Sequence, residues 1–136
     1  PMYISSTNFD KPAGDQPVAV QLQDTYSDLF LETKVDLGIF GHHHSAQRTC
    51  PVHKNQCVTP SAPGEYAAPV YLVVGHAGAG SSTNIQKPQP AIFEFVDDHT
   101  HGYANMDVSP DKLTIDFIAA ADGSTFHHFE LMRSKL

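Results

Sequence analysis

From residue 91 onward the chain reads as a series of short strands, over 91–96, 102–108, 112–120 and 125–132. Ser109-Pro110-Asp111 and Asp122-Gly123 punctuate the last three, and Asp-Gly between alternating segments is a strong hairpin cue. One helix is predicted upstream, over 17–33. Pro17 suits a first helical position, and Asp15 just before it can accept from the free amides there. Val18, Leu22, Tyr26, Leu29 and Phe30 recur at steps of three and four and define one apolar face. A buried strand over 35–40 follows through a short link, which makes an α/β-type unit. Residues 69–75 form a second buried strand, ahead of a run of small residues over 76–82. The polar stretch 5–17 and the Pro- and Cys-bearing stretch 42–68 are read as loops. Loops as long as the second are usually functional. The fold class is therefore α/β (α+β): one helix, then mostly antiparallel strands, as half of a layered sandwich.

Composition narrows the function. The chain has 136 residues, 40% of them hydrophobic, enough for the core of one domain. A net charge of −7 with only 8 Lys plus Arg argues against a nucleic-acid partner. No run approaches the ~18 apolar residues of a membrane span. Small anionic substrates stay open, because bound metal ions can supply the missing positive charge.

Gly41-His42-His43-His44 stands directly behind the apolar run of the first strand. On an extended backbone, side chains two apart share a side, so His42 and His44 converge while His43 turns away. Neutral imidazole is a common ligand for zinc and iron. The alternative is a set of solvated loop histidines. A purification tag does not fit an internal run.

Cys50 and Cys57 are the only cysteines and bracket six residues. A loop that short suits a disulfide hairpin and an oxidising compartment. Free thiols or two thiolate ligands are the alternatives, although six intervening residues exceed the usual spacing of a structural zinc knuckle.

Several segments together resemble the purple acid phosphatases, within the calcineurin-like metallophosphoesterases. They are Val35-Asp36-Leu37 through Gly41-His42-His43-His44, Arg48-Thr49-Cys50-Pro51-Val52 with Cys57, and Val73-Val74-Gly75-His76-Ala77-Gly78. Gly102-Tyr103 to Phe129-Glu130-Leu131, with Asp122-Gly123 between, resembles the closing strands of that family. The segments keep their order over nearly the whole chain. The resemblance implies the C-terminal half of an α/β/β/α sandwich and part of a single catalytic domain over 1–136.

It also implies hydrolysis of phosphomonoesters at a binuclear centre, Fe(III) with Zn(II), Mn(II) or Fe(II). Two metals about 3.5–4 Å apart clamp the phosphate and lower the pKa of bound water. His42 and His44 carry over as metal ligands, one to each ion, and no catalytic residue carries over. The preceding ligand block ends in a His-x-Pro-Met-Tyr pattern. Pro1-Met2-Tyr3 is thus expected to begin two residues after that ligand, with the other four motifs on a missing N-terminal part as the partner of this one. The fragment alone is then expected to be inactive.

The chain departs from the family where Gln47 replaces a common glutamate and Ala46 a tyrosine. Thr7-Asn8-Phe9 offers no substrate-binding histidine, so phosphate contacts are open, with His76 and Arg48 as weak candidates. Structural contacts at His76 and a salt bridge at Arg48 are the competing roles. His43 is expected packed or solvent-facing, His53 exposed, His99 and His101 in a polar turn with the cleft rim as the lesser alternative, and one of His127 and His128 inward. The disulfide and the family imply a secreted or extracellular protein, or a vacuolar or lysosomal one. The competing functions are a non-catalytic truncated relative acting as a binding module, and a related metallophosphoesterase acting on diesters or phosphoproteins.

Overall fold

The computed structural model describes residues 1–7, 15–62 and 65–132. Much of the loop expected over 5–17 lies outside these residues, as do Asn8, Phe9 and the capping role of the Asp15 side chain. The elements run in the order α1 (Asp15–Glu32), β1 (Leu37–Phe40), β2 (Ala46–Thr49), β3 (Val52–His53) and β4 (Gln56–Cys57). Then come β5 (Val70–Val74), β6 (Phe93–Asp97), β7 (Gly102–Val108), β8 (Lys112–Ala119) and β9 (Thr125–Met132). Among the described residues, no helix is long and apolar enough to cross a membrane.

Three layers result. The first sheet has the order β1-β5-β2-β6, with β1 parallel to β5 and β2 antiparallel to both its neighbours. The second is an antiparallel meander, β7-β8-β9. Side chains alternate across β5, so Val70 and Leu72 face the meander while Tyr71 faces the helix. Between the sheets lie Ala46, Val70, Leu72, Ile115, Phe117 and Phe129. On the other face, Met2, Tyr3 and Tyr71 pack with Leu22 and Phe30 of α1. The expected α/β order is present, and α1 is the only helix among the described residues.

The meander follows the turn chemistry. Ser109 caps the first hairpin through Oγ, which accepts from the Lys112 N–H at 3.0 Å. Gly123 takes φ 74° in the second, where Asp122 accepts from both the amide and the hydroxyl of Ser124.

Three expectations need correction. The stretch 42–68 is not one surface loop. It contains β2, a central strand in which Ala46, Gln47 and Thr49 are fully buried. A polar strand can occupy that place because its groups find partners: the Thr49 hydroxyl accepts from the Tyr71 N–H at 2.9 Å, for example. The second correction concerns α1. Val18, Tyr26 and Leu29 are exposed, while Ala19 and Ser27 are buried. Only Leu22 and Phe30 of the stripe pack inward, and amides complete the docking on the N-terminal segment. Gln16 Nε2 donates to the carbonyls of Ile4 and Ser6, and Gln23 Nε2 to that of Met2. The first strand is also shorter than expected and, at the sheet edge, only partly buried.

Candidate functional site

The histidine run leaves the end of β1 as two successive three-residue turns, not as extended backbone. The His43 N–H donates to the Gly41 carbonyl at 3.0 Å, and the Ser45 N–H donates to the His43 carbonyl at 2.8 Å. His42 and His44 are therefore the apices, and His43 is shared by both turns. His42 sits at φ 75°, so the first is the rare γ-turn form that strains any residue but glycine. His42 is exposed, His44 half-buried and His43 buried.

His43 is held at both ring nitrogens. Nδ1 lies 2.7 Å from Ser45 Oγ, and Nε2 lies 3.1 Å from Asn84 Oδ1. Asn84 Oδ1 can only accept, so a neutral ring carries its proton on Nε2, and Ser45 Oγ, which accepts from Gln47 Nε2 at 2.9 Å, donates to Nδ1. Asn84 Nδ2 donates onward to Ser6 Oγ, and Gln47 pairs with the Ser5 peptide, accepting from its N–H and donating to its carbonyl. His44 exchanges hydrogen bonds with Ser82: its N–H donates to Ser82 Oγ, and its carbonyl accepts from the Ser82 N–H. Gly75 closes the arrangement. A Cβ there would fall 1.9 Å from the His43 carbonyl oxygen, so only glycine admits this approach.

The other candidates lie apart from this run. Arg48 pairs with Glu94 of the neighbouring strand β6 and reaches the meander, where it donates from Nε to His127 Nε2 and covers the Phe129 ring. A bulge between β2 and β6 turns Glu94 to meet it. His76 is buried, its ring centroid 5.5 Å from that of Phe117 and edge-on to Phe126. Neither of its ring nitrogens has a hydrogen-bond partner of good geometry. Burial lowers its pKa, as does His101, while Asp97 and the Tyr103 backbone work the other way.

His127 stacks on Phe95 at 3.9 Å, and its pKa falls to about 4 through burial, then Arg48, then His128. His128 lies outward beside Asp116. His53 is not simply exposed: it joins the disulfide hairpin to Asp28 of α1 at 2.9 Å, alongside Lys54. His99 is exposed and His101 partly buried. Cys50 and Cys57 form a disulfide.

Imidazoles at the apices of a fixed turn are suitable donors for a metal ion. They are an incomplete set, because no group of three His, Cys, Asp or Glu comes together among the described residues. A metal site here needs further ligands from elsewhere. Asn84, Ser45 and Ser82 carried no signal that sequence reading could use. Gln47 was noticed only as a departure from a pattern.

The family described as iron/zinc purple acid phosphatase-like protein C matches residues 68–128. The chain is 26% identical over 136 residues to probable inactive purple acid phosphatase 27 of Arabidopsis thaliana, covering 96% of this chain and 20% of that protein. It is 31% identical over 116 residues to acid phosphatase A of Cryphonectria parasitica, covering 81% and 22%. The purple acid phosphatase PPD1 of yellow lupin (Lupinus luteus) superposes with a TM-score of 0.76 at 24% identity, over 97% of this chain and 23% of that one. The chain is similar to the purple acid phosphatases in sequence and in fold. It corresponds to the C-terminal part of their domain. A barley (Hordeum vulgare) nucleotide pyrophosphatase/phosphodiesterase is 26% identical, over 96% of this chain and 34% of that protein. The chain thus spans between a fifth and about a third of the length of these curated relatives. The family match begins at residue 68, beyond the histidine run.

Proposed function

We propose that this chain is the C-terminal part of an acid phosphatase that hydrolyses phosphomonoesters at a binuclear metal centre. His42 and His44 each contribute one neutral imidazole to it. The double turn carries this reading, because it presents two histidines at its apices and anchors the one between them. Bound ions would supply the positive charge for a phosphate that a chain of net charge −7 lacks. The remaining ligands belong to the N-terminal part of the same enzyme. The disulfide supports a secreted or vacuolar setting.

A second reading has its own support. Arabidopsis relatives bear names that include "inactive", and the described residues assemble no complete ligand group. On that reading the protein binds a partner without turnover. The barley relative's name favours a third, phosphodiester hydrolysis.

The test uses the full-length protein containing this segment, produced in a secretory host. Bound iron, zinc and manganese are measured with turnover of p-nitrophenyl phosphate and bis-p-nitrophenyl phosphate. The leading reading expects close to two metals per chain, preference for the monoester, and loss of both metal and activity in His42→Ala and His44→Ala. Metal-free, inactive protein favours the second reading, and preference for the diester the third.

A further inference from the structure

We infer that His43 is a positioning residue: its buried ring is the anchor that sets the turns on which His42 and His44 are carried. The metal arm of this inference rests on the function proposed above, while its conformational arm does not.

His43 has no route to direct chemistry, because it is buried and both ring nitrogens are engaged. What it controls is backbone. Its N–H and its carbonyl close the two turns, so the ring and the apices on either side move as one unit. The strained φ of 75° at His42 needs an external hold, since a free loop would relax to negative φ. That hold comes from three separate segments. Asn84 grips the ring from the 76–90 loop, and Ser45 with Gln47 ties it to β2. Gly75 at the end of β5 lets the His43 carbonyl seat against the sheet. Through Ser5 and Ser6 the same network reaches the N-terminal segment. A hydrophobic residue at 43 would fill the volume and lose the fixed orientation.

The experiment compares His43→Leu, His43→Gln and Asn84→Ala with wild type in the full-length protein. Amide hydrogen exchange of peptides spanning residues 41–46 is followed, and zinc and manganese affinity is measured by chelator competition. His43→Leu should speed exchange of the His44 and Ser45 amides at least 10-fold beyond any change in global unfolding. It should also weaken metal binding by about 10–100-fold, the range for groups that orient a ligand. His43→Gln, whose amide can still donate to Asn84, should recover most of both, and Asn84→Ala should shift both less than His43→Leu.

Wild-type exchange and affinity in folded His43→Leu would overturn the inference. So would loss in His43→Gln equal to that in His43→Leu, which would indicate a bulk structural role. If His43→Leu does not fold, Asn84→Ala and His43→Gln decide by the same two measurements. A wild-type protein that binds no metal, yet shows the exchange changes, would refute the proposed function and leave the positioning role supported.

Discussion

Arg48 donates from Nε to Nε2 of His127 across the gap between the two sheets, at 3.0 Å. The bond needs a neutral imidazole, and the guanidinium beside it opposes protonation. Burial contributes most to that opposition, and together they bring His127 from 6.5 down to about 4. Between those two pH values the unfolded chain takes up a proton that the folded chain refuses. Stability therefore falls as pH is lowered through that window. Because the ring is partly exposed, solvent screening holds the effect to on the order of 1 kcal/mol. His127→Phe keeps the stacking on Phe95 and removes the titration. We expect a melting temperature that changes less between pH 6.5 and 4 than that of wild type, measured by calorimetry in matched buffers.

His76 acts in the same direction, for a simpler reason. Its ring is buried among Phe117 and Phe126 without a good hydrogen-bond partner, and burial lowers its pKa. An unsatisfied buried polar group costs about 1–3 kcal/mol, and an apolar residue of similar shape avoids that cost. We expect His76→Met to raise stability at pH 7 by about 1 kcal/mol and to lessen the acid sensitivity further. Urea unfolding at pH 7 and pH 5 checks this. A loss of stability at pH 7 would mean that His76 has a polar role not explained by its surroundings.

Gln47 presents an amide where a carboxylate would be poorly matched. It accepts from the Ser5 N–H but must also donate to the Ser5 carbonyl and to Ser45 Oγ, which an ionised glutamate cannot do. We expect Gln47→Glu to destabilise the protein by about 2–4 kcal/mol at pH 7. Burial would raise the pKa of the new carboxyl above its unfolded value. The deficit should therefore narrow below about pH 4.3, the ordinary glutamate value, and grow as pH rises above it. Chemical unfolding at pH 4 and pH 7, set against wild type, gives the comparison.

The meander was legible because its information is local: period-two alternation in β8 and β9, and a turn at Asp122-Gly123 whose residues carry their own geometry. β2 was not legible. Ala46-Gln47-Arg48-Thr49 looks like loop until Ser5, Tyr71 and His127 supply partners from distant parts of the chain. The helix misled in the opposite sense. Its apolar spacing is real, but Gln16 and Gln23 grip the N-terminal segment and turn much of that stripe to solvent. At the site, the run of histidines could be read and the hold on it could not. Asn84 lies 41 residues from His43, and no local pattern marks it.

The disulfide offers the last test, because it joins the buried end of β2 to a hairpin that docks on α1. Cys50 is buried and its N–H donates to the Ile92 carbonyl, while Cys57 pairs with Val52 across β3-β4. From that hairpin, His53 and Lys54 reach Asp28 of the helix. Closing a loop of about eight residues removes unfolded-state entropy worth about 2.5 kcal/mol. We expect Cys50→Ala/Cys57→Ala to lose about 2–3 kcal/mol, with the helix contact loosened first. Faster hydrogen exchange around Asp28 and residues 52–57, ahead of the meander amides, would be its signature. Equal exchange changes in every strand would mean that the cross-link acts on global stability alone.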